Sequence, residues 1–180
     1  HKQSLVNQRE VGLDTNSYEV ALSNALREAP DVILIGEVRD METMKHALAF
    51  AETGHLCFST LHASNANQAV ERVLGFFHDS AHRQLLLEMS QHVKAVVSQR
   101  LARGVDGKRV PVVEVMMMTP FIADLISQGK LSEIKEVMQK DKSSGCQTYD
   151  DQLFDLAQSG RITQEEALRM SDARANLALR

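Results

Sequence analysis

An α/β fold is predicted by three features of the sequence. A short apolar run, Val32-Ile-Leu-Ile35, lies between Asp31 and Gly36-Glu37, and a second β-rich run, His55-Leu-Cys-Phe-Ser-Thr-Leu61, follows it. Between them lies a stretch with helix signals at both ends, Asp40 as N-cap and Gly54 just past the last turn. Strand, helix and strand between Asp31 and His62 fit the length of one βαβ unit, whose strands run parallel. From Thr119-Pro120 onward the pattern is helical only, so an all-α subdomain is expected over 119–180, with a boundary near 118–120.

Taken in order, Ser4–Val11 carries scattered β-formers before Gly12 and reads as a short strand. Asp14–Ser17 supply caps for a helix over about 18–28, stopped by Pro30. Val32–Ile35 shows no alternation, which predicts a strand covered on both faces. A helix over about 41–52 leads to the second strand. Ser64 is expected to cap a helix to about Phe77, and a longer amphipathic helix runs from about Ser80 into the 90s. Gly104-Val-Asp-Gly107 between β-like arms over 99–118 signals a hairpin, with Met116-Met-Met118 as core filler at its end. Helices are predicted over 120–128, 131–140, 149–159 and 164–174, the last opened by the capping box Thr163-Gln-Glu-Glu166.

Composition narrows the functional classes. The 180 residues carry a net charge of −4 at pH 7, which argues against a protein whose main task is to coat nucleic acid. No apolar run approaches the ~20 residues of a membrane span. Cys57 and Cys146 are too few for a disulfide scaffold and read as reduced cytosolic thiols. The sequence opens on His1 rather than Met, with no leader pattern, and reads as a piece of a longer chain.

In a parallel sheet, ligands bind outside the carboxyl ends of the strands. The residues leaving the two strands there are Gly36-Glu37 and Leu61-His62, so a carboxylate and an imidazole are expected at one rim. Two readings of Glu37 stand. An acid held rigidly beyond a buried strand can act near Mg²⁺ or activate water in nucleotide hydrolysis; equally, a strand-end acid can pair with Arg39 or Arg9. His62 has a structural reading too, as a hydrogen-bonded histidine. Zinc is disfavoured, because His55 and Cys57 share one strand face while His62 points to the other. His78 and His82 lie four residues apart without the glutamate of the zinc-protease signature. No Gly-x-x-x-x-Gly-Lys-[Ser/Thr] phosphate loop occurs in these residues.

Three longer segments carry a family resemblance: Asn7-Gln-Arg-Glu-Val-Gly12, Ala29-Pro-Asp-Val-Ile-Leu-Ile-Gly-Glu-Val-Arg-Asp40 and Ala51-Glu-Thr-Gly-His-Leu-Cys-Phe-Ser-Thr-Leu-His62. With Ser98-Gln-Arg-Leu101, they resemble the bacterial secretion ATPase superfamily and, within it, the type IV pilus retraction (twitching motility) ATPases. The wording of Glu52–Ala66 is nearest to the accessory retraction ATPases. The resemblance implies that residues 1–118 are the C-terminal part of a RecA-like P-loop NTPase core, a mainly parallel sheet with flanking helices.

The segment with Asp31, Gly36, Glu37 and Arg39 looks like the family's Walker B box, with Glu37 as the catalytic carboxylate orienting water near Mg²⁺. Thr53–His62 looks like its His box, which implies that His62 approaches the γ-phosphate of ATP and His55 supports it. Arg9 is implied at the nucleotide site or at a subunit contact. Members are cytoplasmic hexamers at the pilus base, peripheral to the inner membrane, working through a platform protein and, for accessory members, with a partner retraction ATPase. The family's P-loop, the acidic box before Asn-Gln-Arg and its N-terminal domain have no counterpart in these residues, so the resemblance puts them upstream of His1 and implies that this stretch alone is inactive. Principal members carry an Ala-Ile-Arg motif where this chain has Phe121-Ile-Ala-Asp-Leu-Ile126, which again implies an accessory member. A function of another class stays open: a non-catalytic assembly module that docks on a partner ATPase or the platform protein through residues 120–180.

Overall fold

The computed structural model describes residues 3–174, and the fold is α/β. The chain divides into two compact units, His1–Thr60 and Leu61–Arg180. The boundary expected near 118–120 lies inside the second unit, where hairpin and helices share a core.

The first unit holds α1 (Tyr18–Ala25), β1 (Val32–Ile35), α2 (Met41–Glu52) and β2 (Leu56–Ser59). Ser17 and Asp40 cap the two helices through their side chains, as Ser and Asp do at N-caps. A 3₁₀ turn extends α1 to Glu28, and Ala29 then takes a left-handed conformation ahead of Pro30. β1 and β2 pair in parallel, with Val32 opposite Leu56 and Ile35 opposite Ser59. Leu22 of α1 and Phe50 of α2 pack with Ile33 and Ile35.

Two expectations fail here. The all-apolar β1 is covered on one face only: Ile35 is 2% exposed but Leu34 is 73% exposed, because α1 and α2 both contribute to the same side. Residues 4–11 form no strand; Leu5 is exposed, and the only pairing is a bridge between Val11 and Thr15 across a turn. β-propensity without a partner strand leaves backbone groups to water.

The second unit contains α3 (Ala66–Leu74), α4 (His82–His92), the antiparallel strands β3 (Ala95–Arg103) and β4 (Arg109–Met117), then α5 (Pro120–Ser127), α6 (Ile134–Lys140), α7 (Tyr149–Gln158) and α8 (Gln164–Met170). Ala102, Val110 and Val112 of the hairpin bury against Tyr149, Leu153 and Leu156 of α7 and Ala167 of α8. Met116 is fully buried, whereas Met117 is exposed. The hairpin turn is stitched to the α7–α8 connection: Val105 N–H donates to the Arg161 carbonyl (3.1 Å), and Gly104 bridges Ile162. A Cβ at Gly104 would lie 2.8 Å from Asp106 Oδ1 and 2.9 Å from Val110 Cγ2, so only glycine fits. Among the described residues no helix is long and apolar enough to cross a membrane.

Candidate functional site

In the first unit the chain leaves β1 through Gly36 into Glu37. The parallel ladder continues one step past the strands, with Val38 N–H donating to the Thr60 carbonyl (2.9 Å) and the Thr60 hydroxyl donating to the Gly36 carbonyl. Glu37 is therefore mounted on backbone fixed from both sides. Its carboxylate accepts from Arg39 Nε (2.7 Å) and faces Arg39 Nη2 (2.6 Å). That pair raises the already high pKa of Arg39 through the hydrogen bond and the charge. Three residues on from Glu37, Asp40 accepts the Thr43 N–H (2.8 Å), which lowers its carboxyl pKa and anchors the start of α2. A Cβ on Gly36 would meet only Tyr18 Oη, at 4.0 Å, so nothing in this unit requires glycine there.

The other expected residues of this unit lie elsewhere. Asp31 precedes β1, and its carbonyl accepts from Leu56 N–H (3.2 Å) at the amino ends of both strands. His55 also stands at that end: its Nδ1 is 3.0 Å from Thr53 Oγ1 and 3.3 Å from the Phe50 carbonyl, and its ring meets Phe50 edge-on. The structure thus brings Gly36, Glu37 and Arg39 together at the carboxyl edge and sets Asp31 and His55 at the opposite end of the same pair. Arg9 pairs with Glu28 and reaches the Ala21 carbonyl (3.5 Å), pinning the N-terminal segment to α1.

His62, two residues beyond Thr60, belongs to the second unit. It lines a cleft of about 470 Å³ with Ser64, Gln68, Glu71, Arg72 and Phe76. Asn65, not Ser64, caps α3 by accepting from Gln68 N–H (2.9 Å), while Gln68 Oε1 accepts from Ser64 N–H (3.3 Å). Arg72 lies with its guanidinium carbon 5.9 Å from the Phe76 ring centre. Sequence reasoning missed Gln68, Glu71 and Arg72, although their spacing marks the polar face of an amphipathic α3. It missed Thr60 as well, whose hydroxyl bond depends on strand register. His82 is occupied, with Nε2 3.0 Å from the Leu74 carbonyl and 3.1 Å from that of Phe77, closing the end of α3.

Comparison with known proteins shows the family of the chain. The profile of the type II/IV secretion system protein family matches residues 2–169, and the chain belongs to that family. Within it, the chain falls with the type IV pilus retraction ATPases of the PilT/PilU group. It is 53% identical to the type IV pilus ATPase PilU of Pseudomonas aeruginosa over 99% of its length and 47% of that protein's. It is 42% identical to the retraction ATPase PilT of the same organism, over 92% of this chain and 48% of PilT. The crystal structure of the pilus retraction motor PilT with bound ADP superposes with a TM-score of 0.88 at 40% identity, covering all of this chain and 51% of that one. The chain thus spans about half the length of the curated relatives it matches.

Proposed function

We propose that this chain is the Walker B- and His-box-bearing part of a RecA-like, hexameric motor ATPase that powers type IV pilus retraction, completed by a C-terminal helical subdomain. The observation that carries the reading is the parallel β1–β2 pair, with Glu37 mounted at its carboxyl edge beside Thr60. In this reading Glu37 orients the water that attacks the γ-phosphate of ATP, and His62 senses that phosphate and its loss. Arg39 holds the Glu37 carboxylate until nucleotide arrives, so the ion pair and the catalytic role are successive states of one group. The ADP held by the related PilT structure supports nucleotide use. The higher identity to PilU than to PilT supports an accessory member, acting with a partner retraction ATPase at an inner-membrane platform protein on the cytoplasmic side.

Mg²⁺ binds nucleotide sites through one or two carboxylates, waters and phosphate oxygens, so the single carboxylate of Glu37 fits it without a protein cage. Bound there, the ion would neutralise phosphate charge. The placement of His55 beside Phe50 argues for a supporting role through the α2–β2 connection rather than at phosphate. With no Gly-x-x-x-x-Gly-Lys-[Ser/Thr] loop in these 180 residues, the chain by itself is expected to be inactive.

The test is Glu37→Gln in the full-length protein. ATP turnover is expected to fall by about 10² or more while nucleotide binding persists, because the substitution removes the carboxylate that orients the water and keeps the shape. Turnover at the wild-type rate would take Glu37 out of this role.

A further inference from the structure

The inner face of the β3–β4 hairpin is apolar at Ala102, Val110, Val112 and Met116, yet it also carries Ser98, Arg100 and Glu114. Polar groups on a core face cost free energy unless they are paired, so their partners show what they hold. Glu114, 3% exposed, accepts the Ala66 N–H through Oε1 (2.9 Å). Arg100 directs Nε and Nη2 at one carbonyl, that of Ser64 (3.4 and 3.3 Å). Both therefore grip the segment that runs directly from His62 into α3.

Arg100 is itself held from the C-terminal side. Nη1 donates to Asp172 Oδ1 (2.7 Å), and the guanidinium carbon stands 4.0 Å from the centre of the Tyr149 ring. Lys135 Nζ donates to the other oxygen of Asp172 (3.0 Å). Burial works to raise the Asp172 pKa, but the bonds from Arg100 and Lys135 outweigh it and leave the carboxyl below its ordinary value.

We propose that Arg100 is a positioning residue, which fixes the Ser64 carbonyl and thereby the His62 ring, and which Asp172 ties to the C-terminal helices. The inference rests on the reading that His62 faces nucleotide phosphate. The bonds to Ser64 are long, so their value lies in placement more than in stability. A misplacement of about 1 Å at a reacting group can cost about 10² in rate. A planar fork reaches one carbonyl with two donors while bonding a carboxylate with a third; the point charge of lysine cannot. The Ser98–Leu101 run singled out in the sequence acquires a physical task on this account.

The experiment measures ATP turnover by the full-length protein carrying Arg100→Ala, Arg100→Lys, Asp172→Asn, His62→Ala and the Arg100→Ala/His62→Ala pair. Arg100→Ala is expected to lower kcat about tenfold with KM for ATP changed less than about twofold, and Arg100→Lys to recover little of it. Asp172→Asn should shift kcat the same way by a smaller factor. The double variant should be no slower than His62→Ala, since both changes act through one ring; losses that multiply would overturn the proposal. Full turnover by Arg100→Ala beside an impaired His62→Ala refutes this inference alone, whereas full turnover by His62→Ala refutes the reading beneath it. Should Arg100→Ala unfold, the ring resonances of His62 in the folded Arg100→Lys protein decide: a changed shift without a lower melting temperature supports the clamp, and an unchanged shift overturns it.

Discussion

In the first unit the β1–β2 pair buries its inner face with apolar side chains alone, and the outer residues Val32, Leu34, Leu56 and Phe58 stay exposed. In the second, the β3–β4 hairpin mixes Ser98, Arg100 and Glu114 into its buried face and uses two of them to grip the backbone of a neighbouring segment. The difference separates two ways of placing a functional group. A parallel pair places one by direct extension of a strand, as with Glu37. A hairpin places one at a distance, through hydrogen bonds to a segment it does not contain, as with the Ser64 carbonyl and the Ala66 N–H. The first depends on packing behind the strand; the second depends on paired polar groups within a core.

The contrast breaks most visibly at Phe50. This ring, 2% exposed, is the largest side chain of the small first core. Phe50→Ala is expected to cost about 3–5 kcal/mol, enough to open the first unit. Hydrogen exchange should show β1 and α2 losing protection while β3 and β4 keep theirs. Equal loss in both units would mean that they do not respond separately.

A smaller effect sharpens the electrostatic side of the comparison. Glu166 bonds the Arg169 guanidinium (2.7 and 2.8 Å) and accepts the Arg103 N–H (2.8 Å), which together hold its carboxyl down at about 2. A depressed carboxylate stabilises above its unfolded value, near 4.5, and that contribution is lost as pH falls toward about 2. Solvent at the largely exposed Arg169 screens the pair, so Glu166→Gln should cost about 1–2 kcal/mol at neutral pH. Melting curves of the variant should approach the wild type as pH falls from about 4.5 and converge on it only at about pH 2 and below. The smallest change is expected at Leu34, 73% exposed: Leu34→Lys should alter stability by less than about 0.5 kcal/mol while reducing self-association of the 180-residue chain in sedimentation.

What the sequence could convey follows the reach of each interaction. The bounds of α2 were legible because Asp40 and Gly54 act within one turn of it. The hairpin was legible from Gly104 and Gly107. The α3 cap was missed by one residue: Ser64 and Asn65 are both good caps, and the choice falls with Glu114, which takes the Ala66 N–H from 48 positions away. The capping box expected at Thr163–Glu166 is half made, since Thr163 accepts from Glu166 N–H while the Glu166 carboxylate serves Arg103 and Arg169 instead. The reciprocal box forms at Thr148 and Asp151. At the candidate site, the exit of Glu37 from β1 followed from strand pattern alone. The one-sided cover of that strand, the seat of His55 and the hold of Arg100 on Ser64 did not, because each is decided by a partner remote in sequence.

Loop tips between two strands are ordinarily where a protein absorbs extra residues or peptide tags with least harm. The 104–107 turn is closed to such changes, since its first residue has no room for a single carbon and its second is tied to the α7–α8 corner. Permissive ground for grafting a probe onto this molecule therefore lies away from the hairpin's crest, and a label inserted there would report on its own damage.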